Sequence, residues 1–279
     1  MTTVESFAPA KINLTLHVTG RRDDGYHELD SLVMFADIGD RVSVAAAETT
    51  WLSVEGPMAT GVPGDDTNTV MRAARIMGVS ADIRLEKNLP PAAGIGGGSS
   101  DAAATLRALS RLSGRPVPDG AALEIGADVP VCLLSRTARM RGLGDRVEPV
   151  DGMPMLHVVL VNANVPVLTV EVFRRLGKHR NRAMPDDLPE GLDAAGLAGW
   201  LKEMRNDLQE AAIDAEPVIA QVFSTLEATP GCLLARMSGS GGTCFGIYND
   251  SETAASAEGR LREQFPSWWV KTARLNASV

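Results

Sequence analysis

Cysteine and histidine are scarce in this sequence, and neither is spaced as in a binding motif. The three cysteines, Cys132, Cys232 and Cys244, lie far apart and form no CxxC pair. Their odd number and apolar neighbours predict reduced, mostly packed thiols rather than a disulfide framework. The four histidines show no metal-ligand spacing, which argues against a structural zinc site. No metal ligand can therefore be assigned from the sequence.

Long apolar runs and an excess of basic charge are also missing. No apolar stretch is long enough to span a bilayer, and the segment MTTVESFAPAKINL has no basic region leading into an apolar run. A net charge of -8 argues against broad binding to nucleic acids or anionic membranes. We therefore expect a cytoplasmic protein with no nucleic-acid or membrane partner.

Strands and helices recur in both halves of the chain without a regular order. Apolar residues alternate with polar ones in KINLTLHV, residues 11–18, which predicts a strand with one buried face. Helices are predicted over 67–77 and 99–113, and two long amphipathic helices near 193–205 and 207–228. This irregular succession favours an α+β fold over a doubly wound sheet.

The turn VDGMP, residues 150–154, is the expected domain boundary. The length of 279 residues suits one or two domains with a sizeable core. We therefore predict a first domain over residues 1–152 and a second over residues 153–279.

The segment PPAAGIGGGSSDAAATL, residues 90–106, places glycines and two serines directly before an alanine-rich helix. The first turn of a helix has free N–H groups and a partial positive charge, and glycines let a ligand approach closely. These features predict an anion cradle, with a flexible loop and an ordinary N-cap as the alternative. Ser99 or Ser100 could cap the helix, donate to a phosphate or reach Mg2+. Asp101 would repel a bare phosphate, so a cation is expected to share the site.

Three common nucleotide-binding signatures are absent. The glycine segment has no GKS or GKT ending, which excludes a Walker A loop, and it lacks the third glycine of a dinucleotide fingerprint. The HRD and DFG motifs of protein kinases are also missing. A nicotinamide-binding domain is therefore only a weak alternative.

Two further segments flank the glycine segment in sequence order: PAKINLTLHVTGRRDDGYHELDSLV, residues 9–33, and MSGSGGTCFGIY, residues 237–248. Together the three resemble the three motifs of the GHMP small-molecule kinases, and the resemblance spans nearly the whole chain. It implies a two-domain α+β fold with the active site in the interdomain cleft. It also implies that ATP, with Mg2+, is bound by the glycine loop. The residues of that loop are Pro91, Ala92, Ala93, Gly94, Ile95, Gly96, Gly97, Gly98, Ser99, Ser100 and Asp101.

Three shorter stretches indicate one group within these kinases: DGYH at 24–27, GADVPV at 126–131 and RNDL at 205–208. They are similar to those GHMP kinases that act on the cytidine diphosphate derivative of methylerythritol, in the non-mevalonate route to isoprenoids. The resemblance implies ATP-dependent phosphorylation of the 2-hydroxyl of this small molecule. The alternatives are a sibling kinase of homoserine or a mevalonate derivative, and a GHMP-like sensor without turnover.

Catalytic roles are implied for Lys11 and Asp128, which match the family's catalytic lysine and aspartate. Phosphoryl transfer needs an oriented hydroxyl, a proton acceptor and charge neutralisation. Asp128 would accept the hydroxyl proton, while Lys11 would keep that carboxylate ionised and offset charge on the transferred phosphate. Because both residues are present, the sensor alternative is disfavoured.

Substrate contacts are implied at positions from both halves of the chain. They are Asn13, Tyr26, His27, Thr169, Gly239, Ser240 and Gly241. Tyr26 and His27 match the positions that hold cytosine, and they suit stacking and hydrogen bonding to the base edge. Asn13 lies two residues after Lys11, so its amide shares a strand face with that lysine and suits a diphosphate or a hydroxyl. The glycine turn at 239–242 would let the backbone approach the ligand, and Thr169 rests on looser similarity.

Overall fold

The computed structural model describes residues 2–277, in which helices and strands are mixed along the chain. The strands are β1 (Thr3–Asn13), β2 (His17–Arg21), β3 (His27–Ala46), β4 (Trp51–Glu55), β5 (Ala81–Glu86), β6 (Ala138–Gly142), β7 (Arg146–Pro149), β8 (Leu156–Asn162), β9 (Leu234–Met237), β10 (Thr243–Tyr248) and β11 (Trp269–Leu275). The helices are α1 (Thr69–Met77), α2 (Gly97–Ser113), α3 (Ala121–Ile125), α4 (Val129–Leu134), α5 (Thr169–Arg175), α6 (Ala194–Lys202), α7 (Gln209–Ala215), α8 (Val218–Glu227) and α9 (Ser251–Gln264). Within the described range, no helix has the length and apolar character needed to cross a membrane.

The chain forms two compact units whose segments interleave. The first unit comprises the described residues through Lys11, Ile38–Pro91 and Gly96–Ser135, and the second comprises Ile12–Asp37, Ala92–Ile95 and the described residues from Arg136 onward. Strands β1 and β3 therefore contribute residues to both units. A division into continuous domains at residue 152 stays a prediction.

The first unit combines a sheet with packed helices. Strand β5 pairs with β4 in parallel and with β3 in antiparallel orientation. Helix α2 packs against α1 and α4, and it buries Ala102, Leu106 and Leu109 as its periodicity predicts. It begins at Gly97, two residues before the predicted start, and ends at Ser113, where the C-cap residue Gly114 has a left-handed conformation that suits glycine.

The second unit is built around β8. This strand lies between β10 and β11 and is antiparallel to both, while β9 pairs with the other edge of β10. The early part of β3 pairs with β2 and β6, and β7 extends β6. The core is one cluster of buried residues that includes Val159, Val161, Leu208, Ile219, Val222 and Leu226.

Two predicted elements are wrong in their extent. The strand expected over 11–18 is interrupted, because β1 ends at Asn13 and β2 begins at His17. Thr15 within the gap is fully buried, and its hydroxyl accepts a hydrogen bond from the N–H of Leu32. The helix expected over 207–228 is broken between α7 and α8 at Pro217, which has no N–H to donate within a helix.

The cysteines are packed, as the sequence predicts. Cys132 and Cys244 are buried, Cys232 is partly buried, and all three are free thiols. Burial raises the pKa of both Cys132 and Cys244 to about 12, so these thiols stay protonated and unreactive near neutral pH.

Candidate active site

Lys11 and Asp128 form an ion pair in the first unit. Lys11 is buried near the end of β1, and its Nζ lies 2.5 Å from Oδ2 of Asp128. Asp128 occupies the N-cap position of α4, but its side chain makes no capping hydrogen bond. The side chain of Asp128 is 39% exposed, whereas that of Lys11 is 4% exposed. The pair therefore joins a sheltered ammonium to a carboxylate that a ligand can reach.

The first half of the glycine loop, residues 92–95, belongs to the second unit, where its backbone carbonyls accept three hydrogen bonds. The carbonyl of Ala92 accepts from Val167 N–H at 3.2 Å, and that of Ala93 accepts from Thr243 N–H at 3.0 Å. The carbonyl of Gly94 accepts from the Ser238 hydroxyl at 3.0 Å. These bonds fix the loop backbone before it enters α2.

The second half of the loop forms the first turn of α2. Gly96 has a φ of 65°, and a Cβ there would lie 3.0 Å from the Cβ of Lys11, so a side chain would be both strained and crowded. The first helical hydrogen bond runs from Ser100 N–H to the Gly96 carbonyl at 2.8 Å, which leaves the amides of residues 97–99 without helical acceptors. The loop therefore has the free N–H groups of an anion site.

The two serines of the loop differ in their surroundings. Ser100 is fully buried, and its hydroxyl donates to the Pro9 carbonyl at 2.7 Å. Ser99 is partly exposed in the first turn. Of the two, Ser99 is therefore the serine placed to meet a phosphate or a metal ion.

Asp101 is buried and bonded to a lysine that the sequence reasoning missed. Its Oδ2 lies 2.7 Å from Nζ of Lys87, which also contacts Asp40, and Oδ1 of Asp101 has no partner among the described residues. Burial and the charge of Asp40 raise the pKa of Asp101 against the opposing effect of Lys87. Burial lowers the pKa of Lys87, but the two carboxylates outweigh it and the net shift is upward.

Among the described residues, the positive charge beside Asp101 is that of Lys87, whereas the sequence predicts a cation that shares the site with a phosphate, and that prediction stays untested. Apolar and polar residues alternate in DIRLEK, residues 82–87, which indicates a strand, but no motif distinguishes its final lysine, Lys87. Only the folded chain shows that this lysine meets two buried carboxylates.

Asn13 is buried at the end of β1. Its side-chain amide donates to the Ser31 hydroxyl at 2.8 Å, and its backbone N–H donates to the Ser238 hydroxyl at 3.0 Å. Its Oδ1 is buried and has no partner among the described residues. An unpaired buried acceptor is costly, so this oxygen is suited to accept from a ligand.

The second glycine turn lies beside the first half of the loop. Gly239 and Gly241 have φ values of 56° and 109°, and a Cβ at Gly239 would lie 2.5 Å from the Gly94 carbonyl oxygen. The hydroxyls of Thr169 and Ser240 are 2.7 Å apart. The structure therefore brings Thr169, Ser240 and the loop segment 92–95 together within the second unit.

His27 has a packed aromatic neighbour, whereas Tyr26 is 66% exposed. The His27 ring stacks on Phe173 of α5 with ring centroids 4.8 Å apart and planes inclined by 21°. Its Nε2 lies 3.0 Å from Nδ1 of His179. Sequence reasoning missed Phe173 and His179, because α5 was not predicted and their separation from His27 along the chain is large.

Two family models match this chain. The family described as GHMP kinases N terminal domain matches residues 68–137, and that described as GHMP kinases C terminal matches residues 190–267. The chain belongs to the GHMP kinase family. Its α+β fold and its kinase class, both predicted from the sequence, are confirmed.

Similar proteins place the chain within one branch of that family. A 4-diphosphocytidyl-2-C-methyl-D-erythritol kinase of Cereibacter sphaeroides is 53% identical over 274 residues, which cover 97% of this chain and 99% of the relative. A crystal structure of 4-(cytidine 5'-diphospho)-2C-methyl-D-erythritol kinase aligns with a TM-score of 0.79 and 32% identity over 98% of this chain and 100% of that one. A homoserine kinase from Cytophaga hutchinsonii has a TM-score of 0.68 and 17% identity, covering 98% and 94% of the two chains, which shows the shared fold alone.

Proposed function

We propose that the protein transfers the γ-phosphoryl group of ATP to the 2-hydroxyl of 4-diphosphocytidyl-2-C-methyl-D-erythritol, giving the 2-phosphate and ADP. The ion pair of Lys11 with a solvent-accessible Asp128 carries this proposal, because it supplies a proton acceptor and a fixed cation. Full-length similarity to kinases named for this substrate supports the choice of substrate. The reaction belongs to the non-mevalonate route to isoprenoids, and a cytoplasmic location stays a prediction.

Asp128 acts as the base in this mechanism. Its carboxylate accepts the proton of the substrate hydroxyl as the oxygen forms its bond to phosphorus and the bond to ADP breaks. Lys11 lies within 2.5 Å of the same carboxylate, so its charge orients Asp128 and offsets negative charge on the transferred group. The burial of Lys11 strengthens this electrostatic effect, since water screens it less.

The ATP phosphates are assigned to the first turn of α2. The amides of residues 97–99 have no helical acceptors, and the helix N-terminus favours an anion. Ser99 and Asp128 carry the oxygen donors that would hold Mg2+, and the ion would offset negative charge on the phosphates.

The substrate is assigned to groups of the second unit. Tyr26 is free to cover one face of the cytosine, and the His27 ring on Phe173 offers a polar edge beside an aromatic surface. The unpaired Oδ1 of Asn13 suits a substrate hydroxyl. Thr169, Ser240 and the backbone at Gly239 and Gly241 would border the diphosphate.

Phosphorus NMR tests this function directly. Wild-type protein and Asp128→Asn are incubated in parallel with MgATP and 4-diphosphocytidyl-2-C-methyl-D-erythritol. We expect a new phosphomonoester signal and ADP with the wild type, and a rate lower by about 10²–10⁴-fold in the variant. Phosphorylation of homoserine or mevalonate in its place would overturn the substrate and retain the kinase, whereas an equal rate in the variant would remove Asp128 as the base.

A further inference from the structure

His27 uses only one of its two ring nitrogens within the described residues. It begins β3, opposite Arg21 of β2, and its ring lies against Phe173. Its Nε2 is 3.0 Å from Nδ1 of His179, with the ring centroids 5.1 Å apart, while Nδ1 of His27 has no protein partner in residues 2–277. The free nitrogen is therefore the one available to a ligand.

The contact between the two imidazoles restricts the tautomer of each ring. When both rings are neutral, one nitrogen must donate and the other must accept. If Nε2 of His27 carries the proton, its Nδ1 is a bare acceptor. If Nδ1 of His179 carries the proton instead, Nδ1 of His27 becomes a donor. The hydrogen-bonding character of the free nitrogen is thus set by His179.

We propose that His179 is a positioning residue that accepts the Nε2–H of His27 and so holds Nδ1 of His27 as an acceptor for the exocyclic amine of the bound base. This inference rests on the proposed function, in which His27 faces cytosine. Cytosine presents an amine where uracil presents a carbonyl oxygen, and a carbonyl facing a bare nitrogen leaves two acceptors unpaired. One such mismatch corresponds to about ten- to hundredfold in affinity.

The surroundings of His27 favour its neutral form. The charged or titratable groups that bear on His27 are His179, from the segment after α5, and Arg21 of β2, while Phe173 carries no charge. Burial, followed by repulsion from His179 and Arg21, lowers the pKa of His27 below its ordinary value. The lowered pKa keeps the His27 ring neutral, so one of its two nitrogens remains an acceptor.

The test compares the affinities of CDP and UDP by calorimetry at pH 8, together with the nitrogen-15 shifts of His27. For the wild type we expect CDP to be preferred by about ten- to hundredfold, with Nε2 of His27 protonated. His179→Ala should lose the preference. His179→Asn, whose Oδ1 can accept in the place of Nδ1, should keep it. His157→Gln is the matched control and should behave as the wild type.

An unchanged CDP to UDP ratio in His179→Ala would overturn the inference, and so would a His27 protonated on Nδ1 in the wild type at pH 8. Binding of neither nucleotide to the wild type would overturn both the inference and the assigned base site. The phosphorus NMR experiment tests the proposed function separately. Formation of the phosphomonoester in that assay does not depend on which nitrogen of His27 contacts the base.

Discussion

Two lysines of the first unit are buried to the same extent, yet they have different partners. Lys11 meets one carboxylate, that of Asp128, which is 39% exposed. Lys87 meets two, Asp40 and Asp101, whose side chains are at most 3% exposed. The carboxylate paired with Lys11 is therefore accessible to solvent, whereas the two carboxylates paired with Lys87 are buried.

In the proposed mechanism, this difference in exposure separates the chemical role of Asp128 from the positioning role of the buried carboxylates. A carboxylate that a ligand can reach is available for proton transfer, as Asp128 is. Asp40 also accepts from the backbone N–H groups of Asn88 and Leu89, while Asp101 belongs to α2, so Lys87 ties β3 and the segment after β5 to the start of that helix. Buried charges are costly to desolvate, which makes this second group sensitive to any unbalanced change.

Lys87→Met should have the largest effect on stability. Removing the ammonium leaves two buried carboxylates without a cation, and breaking such a pair costs about 3–5 kcal/mol in the free energy of unfolding. Urea unfolding monitored by circular dichroism measures it. Combining the change with Asp101→Asn should restore part of the loss, since one carboxylate is removed. If Lys87→Met were as stable as the wild type, the cluster of Lys87, Asp40 and Asp101 would already be uncharged in the folded protein.

Lys11→Met should instead affect mainly the reaction. Asp128 keeps its contact with water, so we expect a smaller loss of stability than for Lys87→Met. The transferred phosphoryl group loses its fixed cation, and kcat should fall by about 10²–10³-fold. Steady-state ADP release and urea unfolding on the same preparations separate the two effects. If Lys11→Met lost more stability than Lys87→Met, the division of roles would be reversed.

Asp101→Asn should change how stability depends on pH. Because the pKa of Asp101 is raised in the folded protein, the folded state binds its proton more tightly than the unfolded chain does. The protonated Asp101 therefore contributes to the free energy of unfolding at low pH. This contribution is lost as the pH rises from the ordinary aspartate pKa through the raised pKa of Asp101, by about 1.4 kcal/mol per pKa unit of the shift. The variant lacks this loss, so its stability relative to the wild type should increase from pH 5 to pH 8. Parallel pH dependences would show that the pKa of Asp101 is not raised.

The smallest effect on stability is expected from removing a solvent-exposed ion pair of the first unit. Arg75 and Asp66 are 3.1 Å apart with side chains 62% and 75% exposed. Arg75→Met should change the free energy of unfolding by less than about 1 kcal/mol and leave kcat unaltered. The same unfolding and ADP-release assays apply, and a loss comparable with that of Lys87→Met would mean that burial is not what distinguishes the pairs.

Much of the fold and part of the site could be predicted from local patterns. The stripe of Ala102, Leu106 and Leu109 predicted α2, because burial of one helix face follows a period of 3.6 residues. The long helix over 207–228 was overestimated, since its amphipathic pattern continues across Pro217. Strands β6 and β7 and helix α5 carried no strong local signal and were not predicted.

The sequence by itself determined the motifs: glycines where the backbone takes positive φ, a helix start that can bind an anion, and the residue types of a phosphoryl-transfer site. These are local properties of the backbone and of neighbouring side chains. Only the tertiary structure decided which charges meet. Lys11 and Asp128 are 117 positions apart and Lys87 and Asp40 are 47 apart, and no spacing in the chain encodes their burial or their neighbours. Exposure and the number of ion-pair partners distinguish Asp128, the proposed base, from the buried Asp40 and Asp101. Both of these properties are fixed only when the chain folds.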